Sequence, residues 1–138
     1  MKKIVSSILV LALVLTMCPV FVSANEGGTV QPRYSHITSI SFDFNVSNGT
    51  AEAQVIARAG YLDENVTVTA YVQRKVDGVW KTQGTGSTLN TGWRTEVNKT
   101  VNNCPSGYYY RVRADVKVYD ANGNLLEYVT EYSSQRYF

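Results

Sequence analysis

Apolar and polar residues alternate along nearly all of the chain after residue 35, and no helical period occurs there. Because successive side chains of a strand point to opposite faces, this alternation predicts strands that bury one face each. The inward-facing sets that it predicts are Ile40, Phe42, Phe44 and Val46; Ala51, Ala53, Val55 and Ala57; Val66, Val68, Ala70 and Val72; and Tyr108, Tyr110, Val112, Ala114, Val116 and Val118.

Short turn sequences separate the predicted strands. The segment SNGT at 47–50, the dipeptide DG at 77–78 and the segment DANGN at 120–124 are typical of hairpins, since their residues accept positive φ. The Gly/Thr-rich segment 84–92 is either a loop or a ragged edge strand. About seven strands at this spacing predict an all-β fold, a single antiparallel β-sandwich of immunoglobulin or fibronectin type III-like architecture. A closed barrel is the alternative.

Three consecutive tyrosines begin the strand that contains Val112. By parity Tyr108 and Tyr110 point inward and Tyr109 points outward. A tyrosine just after a Pro/Gly corner resembles the tyrosine corner of Greek-key sandwiches, in which the hydroxyl bonds to backbone a few residues upstream. Tyr108 is the first choice for this role and Tyr110 the second.

The N-terminus has the pattern of a secretory signal peptide. Two lysines precede an apolar run, which ends in the small-x-small pattern at Val22, Ser23 and Ala24. We expect a signal peptide over residues 1–24, a flexible leader over 25–35 and a β-sandwich domain over 36–138, with no membrane span after cleavage. Lipid attachment at Cys18 is the alternative, although Met17 stands where a small residue is preferred.

The charge balance and the cysteine content limit the classes of partner that the chain can bind and the disulfides that it can form. The chain has 13 Lys and Arg against 11 Asp and Glu, and two of the lysines lie in the predicted signal peptide. The balanced charge that remains gives no electrostatic footprint for nucleic acid. Cys104 is the one cysteine outside the signal peptide. We predict that it is buried as a structural residue, and a disulfide between chains is the alternative.

The residues that carry catalysis are sparse. His36 is the only histidine, and no zinc-protease, nucleophile-elbow or phosphate-loop motif occurs. Glu127 and Glu131 share one side of a strand at a separation of about 13 Å, too far for either usual glycosidase arrangement. The segment DANGNLLE has its glycine at the fourth position, whereas a calcium-binding loop requires glycine at the sixth. We therefore predict a non-enzymatic protein without cofactor or metal.

Aromatic residues are the remaining candidates for binding. The chain has 10 Tyr and 2 Trp, which is more aromatic residues than the inward faces of the strands require. Tyr71, Tyr109 and Tyr119 have outward parity, and Trp93 closes the Gly/Thr-rich segment. These four are the predicted ligand-binding residues, since exposed aromatics stack on sugar rings or anchor protein partners. Trp80 is predicted to lie in the core or to cover an edge as a structural residue.

The order of these features resembles a family of small proteins exported by Gram-positive bacteria. The resemblance covers residues 32–138 and includes Pro32-Arg33, the segments VTVTAYVQRKVDGVW and GYYYRVRADVKVY, and NGNLLEYVTEYSS. The family has no assigned function, so the resemblance implies export and a single β-domain. We expect a secreted binding or structural module at the cell surface or in the medium, with a cell-wall glycan or a surface protein as partner. A secreted effector, an antimicrobial protein or an inhibitor, is the alternative.

Overall fold

The structure is a computed structural model that describes residues 34–88 and 92–138, and this part of the chain contains strands and no helix. The predicted signal peptide and leader residues 25–33 lie outside it. The strands are β1 (Ile37–Ser47), β2 (Thr50–Ala59), β3 (Asn65–Val76), β4 (Val79–Ser87), β5 (Arg94–Val101), β6 (Tyr109–Tyr119), β7 (Leu125–Tyr132) and β8 (Arg136–Tyr137).

Two separate antiparallel sheets form the fold. The smaller sheet has the order β1-β2-β5, and the larger has the order β4-β3-β6-β7, with β8 paired to β6. The sheets pack face to face around one hydrophobic core. This confirms the predicted β-sandwich of immunoglobulin or fibronectin type III-like architecture and excludes the closed barrel.

The core is built mostly from valine and alanine. The predicted inward sets of β2, β3 and β6 are buried throughout, while Ile40 and Phe42 of β1 and Tyr108 before β6 are half-buried. Small β-branched side chains allow two pleated sheets to interdigitate, and each fully buried valine contributes about 1.5–3 kcal/mol. Cys104 is buried in the same core, with its Sγ 3.4 Å from the carbonyl oxygen of Val101.

Two hairpins have the predicted turn chemistry. Asn48 and Gly49 have φ of 51° and 75°, and Asp77 and Gly78 have φ of 51° and 80°. Two central residues with positive φ define the hairpin turn whose twist matches that of the flanking strands. These turns set the pairing of β1 with β2 and of β3 with β4.

β4 is an edge strand whose two halves present different faces. Its register against β3 shifts between Val72 and Gln73, so that Thr82 pairs with Gln73 but Gly84 pairs with Val72. This bulge turns Trp80 outward and Gly84 inward, although both have even numbers. Residues 84–87 of the Gly/Thr-rich segment therefore form the edge strand that was one of its two alternatives.

The buried tyrosine of the corner is Tyr110 rather than Tyr108. Its hydroxyl donates to the carbonyl oxygen of Pro105 at 2.7 Å, and its side chain is fully buried. Tyr108 precedes β6 and stays half-buried beneath the guanidinium of Arg74, 4.8 Å from its ring centroid. The prediction of Tyr108 for the corner was thus wrong, and Tyr110, the second choice, was right. The inward residue whose hydroxyl reaches Pro105 lies within β6, whereas Tyr108 precedes the strand.

The segment before β1 is held by β7. The Glu127 carboxylate accepts backbone N–H groups of Ser35, His36 and Ile37 at 3.1, 2.7 and 3.0 Å. The Tyr34 hydroxyl donates to Glu131. Residues 34 and 35 are therefore bound to the sandwich, and the predicted flexible leader must end before them.

Candidate functional site

Aromatic and cationic side chains occupy the solvent-facing side of the larger sheet. We call this surface the outer face. Its members are Tyr71, Gln73 and Lys75 of β3, Trp80 of β4, Tyr109, Arg111, Arg113, Asp115, Lys117 and Tyr119 of β6, Tyr128, Thr130 and Tyr132 of β7, and Tyr137 of β8. The strand registers place them in cross-strand rows, for example Tyr71, Arg113 and Tyr132. Cross-strand neighbours interact on such a surface.

Arg111 lies at the centre of an aromatic cluster. Its guanidinium carbon is 4.2 Å from the ring centroid of Trp80 and 4.1 Å from that of Tyr132. The strand order brings Trp80 from the β3 side of β6 and Tyr132 from the β7 side. The Nε of Arg111 donates to the side-chain oxygen of Gln73 at 2.9 Å. Cation–π contacts of this kind contribute about 0.5–2 kcal/mol each.

Arg113, two residues along the same strand, is paired differently. Its Nε and Nη2 donate to the two carboxylate oxygens of Asp115 at 3.0 and 2.7 Å. Asp115 is buried and also accepts a hydrogen bond from Thr130 at 2.8 Å. The pKa of Arg113 is raised chiefly by its hydrogen bond with Asp115. This arginine is therefore neutralised within the sheet, with the Tyr71 ring 5.1 Å away.

Arg111 has no such partner in the part of the chain that the structure describes. Among residues 34–88 and 92–138, its guanidinium lies within ion-pair distance of no carboxylate. Burial lowers the pKa of Arg111, because its charge has lost water without gaining an anion. Lys75 and Lys117 add two cations over the Trp80 and Tyr128 rings, at 5.8 and 5.5 Å. The outer face therefore has a net positive charge, since its lysines and arginines outnumber its one carboxylate, Asp115.

The structure places three of the four predicted ligand-binding residues on one face but not in one cluster, since Tyr109 and Tyr119 lie at opposite ends of β6. Tyr71, Tyr109 and Tyr119 all lie on the outer face. Tyr109 is 48% exposed, and its ring meets that of Tyr137 edge-on at 5.0 Å. Trp93 is elsewhere: it precedes β5 of the smaller sheet and is 41% exposed, and its backbone oxygen accepts the N–H of Ala59.

Trp80 requires a correction. It belongs to the edge strand β4, and its ring packs on the outer face rather than in the core. The bulge in β4 hides this from a simple parity count, since the inward Gly84 has the same parity. Arg111, Tyr128 and Tyr132 were not among the ligand-binding residues predicted from the sequence. The alternation of the segment EYVTEY could have placed both tyrosines outward.

The ionisable residues away from the outer face have structural partners. The Nδ1 of His36 is 2.5 Å from the buried carboxylate of Glu64. Cys104 lies at the opposite end of β1, where its N–H donates to the Gly49 carbonyl oxygen. The 11 residues of β1 therefore separate His36 from Cys104 by roughly 35 Å. Glu127 and Glu131 hold the segment before β1.

Within the ranges that the structure describes, no group of three or more His, Cys, Asp and Glu residues is placed to hold a metal ion. No helix in those ranges is both long and apolar enough to cross a bilayer.

Comparison with known proteins found no match to a protein-family model and none to a curated protein. Since a sandwich fold does not specify a function, the function has to be inferred from the residues of the outer face.

Proposed function

We propose that this protein is an exported, non-enzymatic binding module whose ligand, a cell-surface carbohydrate, lies across the outer face. The observation that carries the proposal is the exposed aromatic surface around Arg111, formed by rings from four strands. Export rests on the N-terminal sequence pattern.

The composition of the outer face favours binding over a purely structural role. A solvated sheet face needs only polar side chains, whereas this face has tyrosines that are 48%, 51%, 47% and 66% exposed at positions 109, 128, 132 and 137. Tyrosine and tryptophan offer an apolar ring for stacking together with a polar group for hydrogen bonding. Exposed rings along the strands of this face fit a sugar chain that lies along the sheet.

The proposal that the protein is not an enzyme is supported by the use of its ionisable groups. Glu127 satisfies three backbone amides, and His36 and Glu64 pair with each other. Neither set lies on the outer face. A binding function requires only the rings and cations that are exposed there.

Depletion from solution tests this function. The purified protein is incubated with insoluble polysaccharides and with isolated cell walls, and the protein that remains in solution is measured. We expect depletion on at least one matrix. Tyr109→Ala should weaken it 5- to 30-fold, since truncating an exposed aromatic residue that contacts the ligand costs about 1–2 kcal/mol.

Trp93→Ala is the matched control, because Trp93 is an exposed aromatic outside the outer face. It should leave depletion unchanged. Loss of binding in this variant with none in Tyr109→Ala would move the binding site away from the outer face. Absence of depletion on every matrix would refute the carbohydrate function.

A second candidate function is supported by the loops at one end of the sandwich. The β2–β3 loop exposes Tyr61 and Leu62, the latter by 78%, and the start of β7 exposes Leu125 and Leu126. Strand order places these residues and Trp93 at the same end. Apolar side chains on adjacent loops are suited to insertion into a protein cleft, as a secreted inhibitor requires.

Inhibition assays separate this candidate from carbohydrate binding. Protease panels and growth of other bacteria are measured with the wild-type protein, with Leu62→Asp and with Tyr109→Ala. An inhibitor that uses the loops loses potency in Leu62→Asp alone. Full activity of the proteases and normal growth with the wild type would eliminate the effector function.

A further inference from the structure

We propose that the outer face selects acidic polysaccharides and that Arg111 is the residue that binds their anionic groups. This inference rests on the proposed carbohydrate-binding function and specifies its ligand class. It is carried by the position of one guanidinium between two aromatic rings, without a carboxylate partner among the described residues.

The guanidinium of Arg111 is held but not neutralised. Gln73 orients it through Nε, and the rings of Trp80 and Tyr132 flank it. Its two terminal nitrogens have no hydrogen-bond acceptor among the described residues and can donate to a planar, bidentate contact. A carboxylate or phosphate matches that geometry, and charge-assisted bonds of this type are about twice as strong as neutral ones.

Arg113 shows what an anion does on this same strand. Asp115, two residues further along β6, accepts two hydrogen bonds from Arg113. The residue two positions further along from Arg111 is Arg113, and the residue two positions back is Tyr109, so neither supplies a carboxylate to Arg111. An acidic group on a ligand would therefore supply to Arg111 the pairing that Asp115 supplies to Arg113.

The extent of the outer face favours a polymer over a small anion. Arg111 and Lys117 are six residues apart on β6, roughly 20 Å along the strand. Lys75 adds a cation directly opposite Trp80 on the neighbouring strand, and the exposed ring of Tyr109 lies near the same end. A sugar chain with repeated acidic groups can place rings on the tyrosines and anions on the cations at once.

Affinity electrophoresis tests this ligand class with four polymers. Polygalacturonate has carboxylates, and its fully methyl-esterified form has the same backbone without charge. Phosphomannan has phosphates, and mannan lacks them. We expect the wild-type protein to bind at least one acidic polymer at least tenfold more tightly than its neutral counterpart, with binding that weakens as salt increases. The pair that shows the difference identifies the anionic group.

Arg111→Gln should reduce this preference at least fivefold, whereas the conservative Arg111→Lys should retain part of it. Arg94→Gln is the matched control, because Arg94 is an exposed arginine of the smaller sheet paired with Glu96. It should retain the full preference. Unchanged thermal melting of each variant separates loss of binding from loss of folding.

The possible outcomes distinguish the inference from the function on which it rests. Equal binding to acidic and neutral polymers, or an unchanged preference in folded Arg111→Gln, would overturn the inference and leave the carbohydrate function in place. No binding to any of the four polymers, together with no depletion on cell walls, would overturn both. Tighter binding to single-stranded DNA than to either acidic polymer would show that the ligand class is wrong.

Discussion

At the scale of single residues, Glu127 has an unusual role for a strand carboxylate. It points toward the interior side of the edge strand β7, where an ionised group is normally costly. The three backbone N–H groups of residues 35–37 compensate this cost. The same bonds fix the position from which β1 starts.

Glu127→Gln tests this role. The amide keeps one acceptor oxygen but loses the charge and one carboxylate oxygen, so at least one backbone N–H loses its partner. We expect the free energy of unfolding to fall by about 1–3 kcal/mol. Urea denaturation measures it, and Glu52→Gln on the exposed side of β2 is the control, expected within about 0.5 kcal/mol of wild type. Equal stability of both variants would contradict the role.

Tyr34 makes stability depend on alkaline pH. Burial, followed by its hydrogen bond to Glu131, raises the pKa of Tyr34 to about 12 from the ordinary value of 10.0. Between these values the unfolded chain loses the phenolic proton while the folded chain keeps it, so stability is fully present below pH 10 and declines toward pH 12. Absorbance titration of tyrosinate should show that Tyr34→Phe removes a late-ionising group. It should also flatten the loss of stability between pH 10 and 12. An unchanged late phase would assign it to other tyrosines, such as Tyr110, whose pKa burial also raises.

At the scale of elements, the glycines of β4 allow the two sheets to approach at one side. A Cβ on Gly84 would lie 2.6 Å from Val101 Cγ2, and one on Gly86 would lie 3.2 Å from Val97 Cγ1. Both valines belong to β5 of the smaller sheet. The glycine-rich sequence of this edge strand is therefore a packing requirement.

Gly84→Ala should destabilise the fold by about 1–3 kcal/mol, because the added methyl group must displace Val101 in a packed interface. Gly60→Ala is the matched control, since its nearest contacts would lie at 3.6 Å or more and its φ is not positive. Thermal unfolding should show a clearly lower Tm for Gly84→Ala alone. Similar Tm values for the two variants would show that β4 adjusts freely.

The elements also show which parts of the fold can be predicted from sequence. The inner faces of β2, β3 and β6 follow from alternation, because a strand covered on one side must repeat every two residues. The face on which Trp80 lies does not follow from alternation, since the bulge in β4 places Trp80 and Gly84 on opposite faces although both have even numbers. The clustering around Arg111 depends on strand order, which alternation does not determine. Tyr71 and Tyr109 could be predicted as outward residues, but their cationic neighbours from other strands could not.

At the scale of the whole molecule, Cys104 reports on unfolding. Its thiol is 5% exposed and belongs to the shared core of both sheets. With Cys18 replaced by Ser, Cys104 is the only thiol in the chain. A thiol reagent should modify it slowly under native conditions and immediately in denaturant, with a native rate that follows global unfolding. Rapid modification of the folded protein would instead favour the exposed cysteine and a disulfide between chains.

The binding of residues 35–37 by Glu127 also affects how the molecule responds to force. Tyr34 lies at the end of the sandwich where β1 begins, whereas Phe138 is hydrogen-bonded to Tyr108 at the opposite end. Tension applied between these two positions would run along the strands. It would load the backbone bonds of β1 with β2, and those of β8 with β6, in shear. Most of these bonds join β1 to β2, where ten residue pairs would have to separate together, so β1 should detach at a higher load than if it were opened one bond at a time.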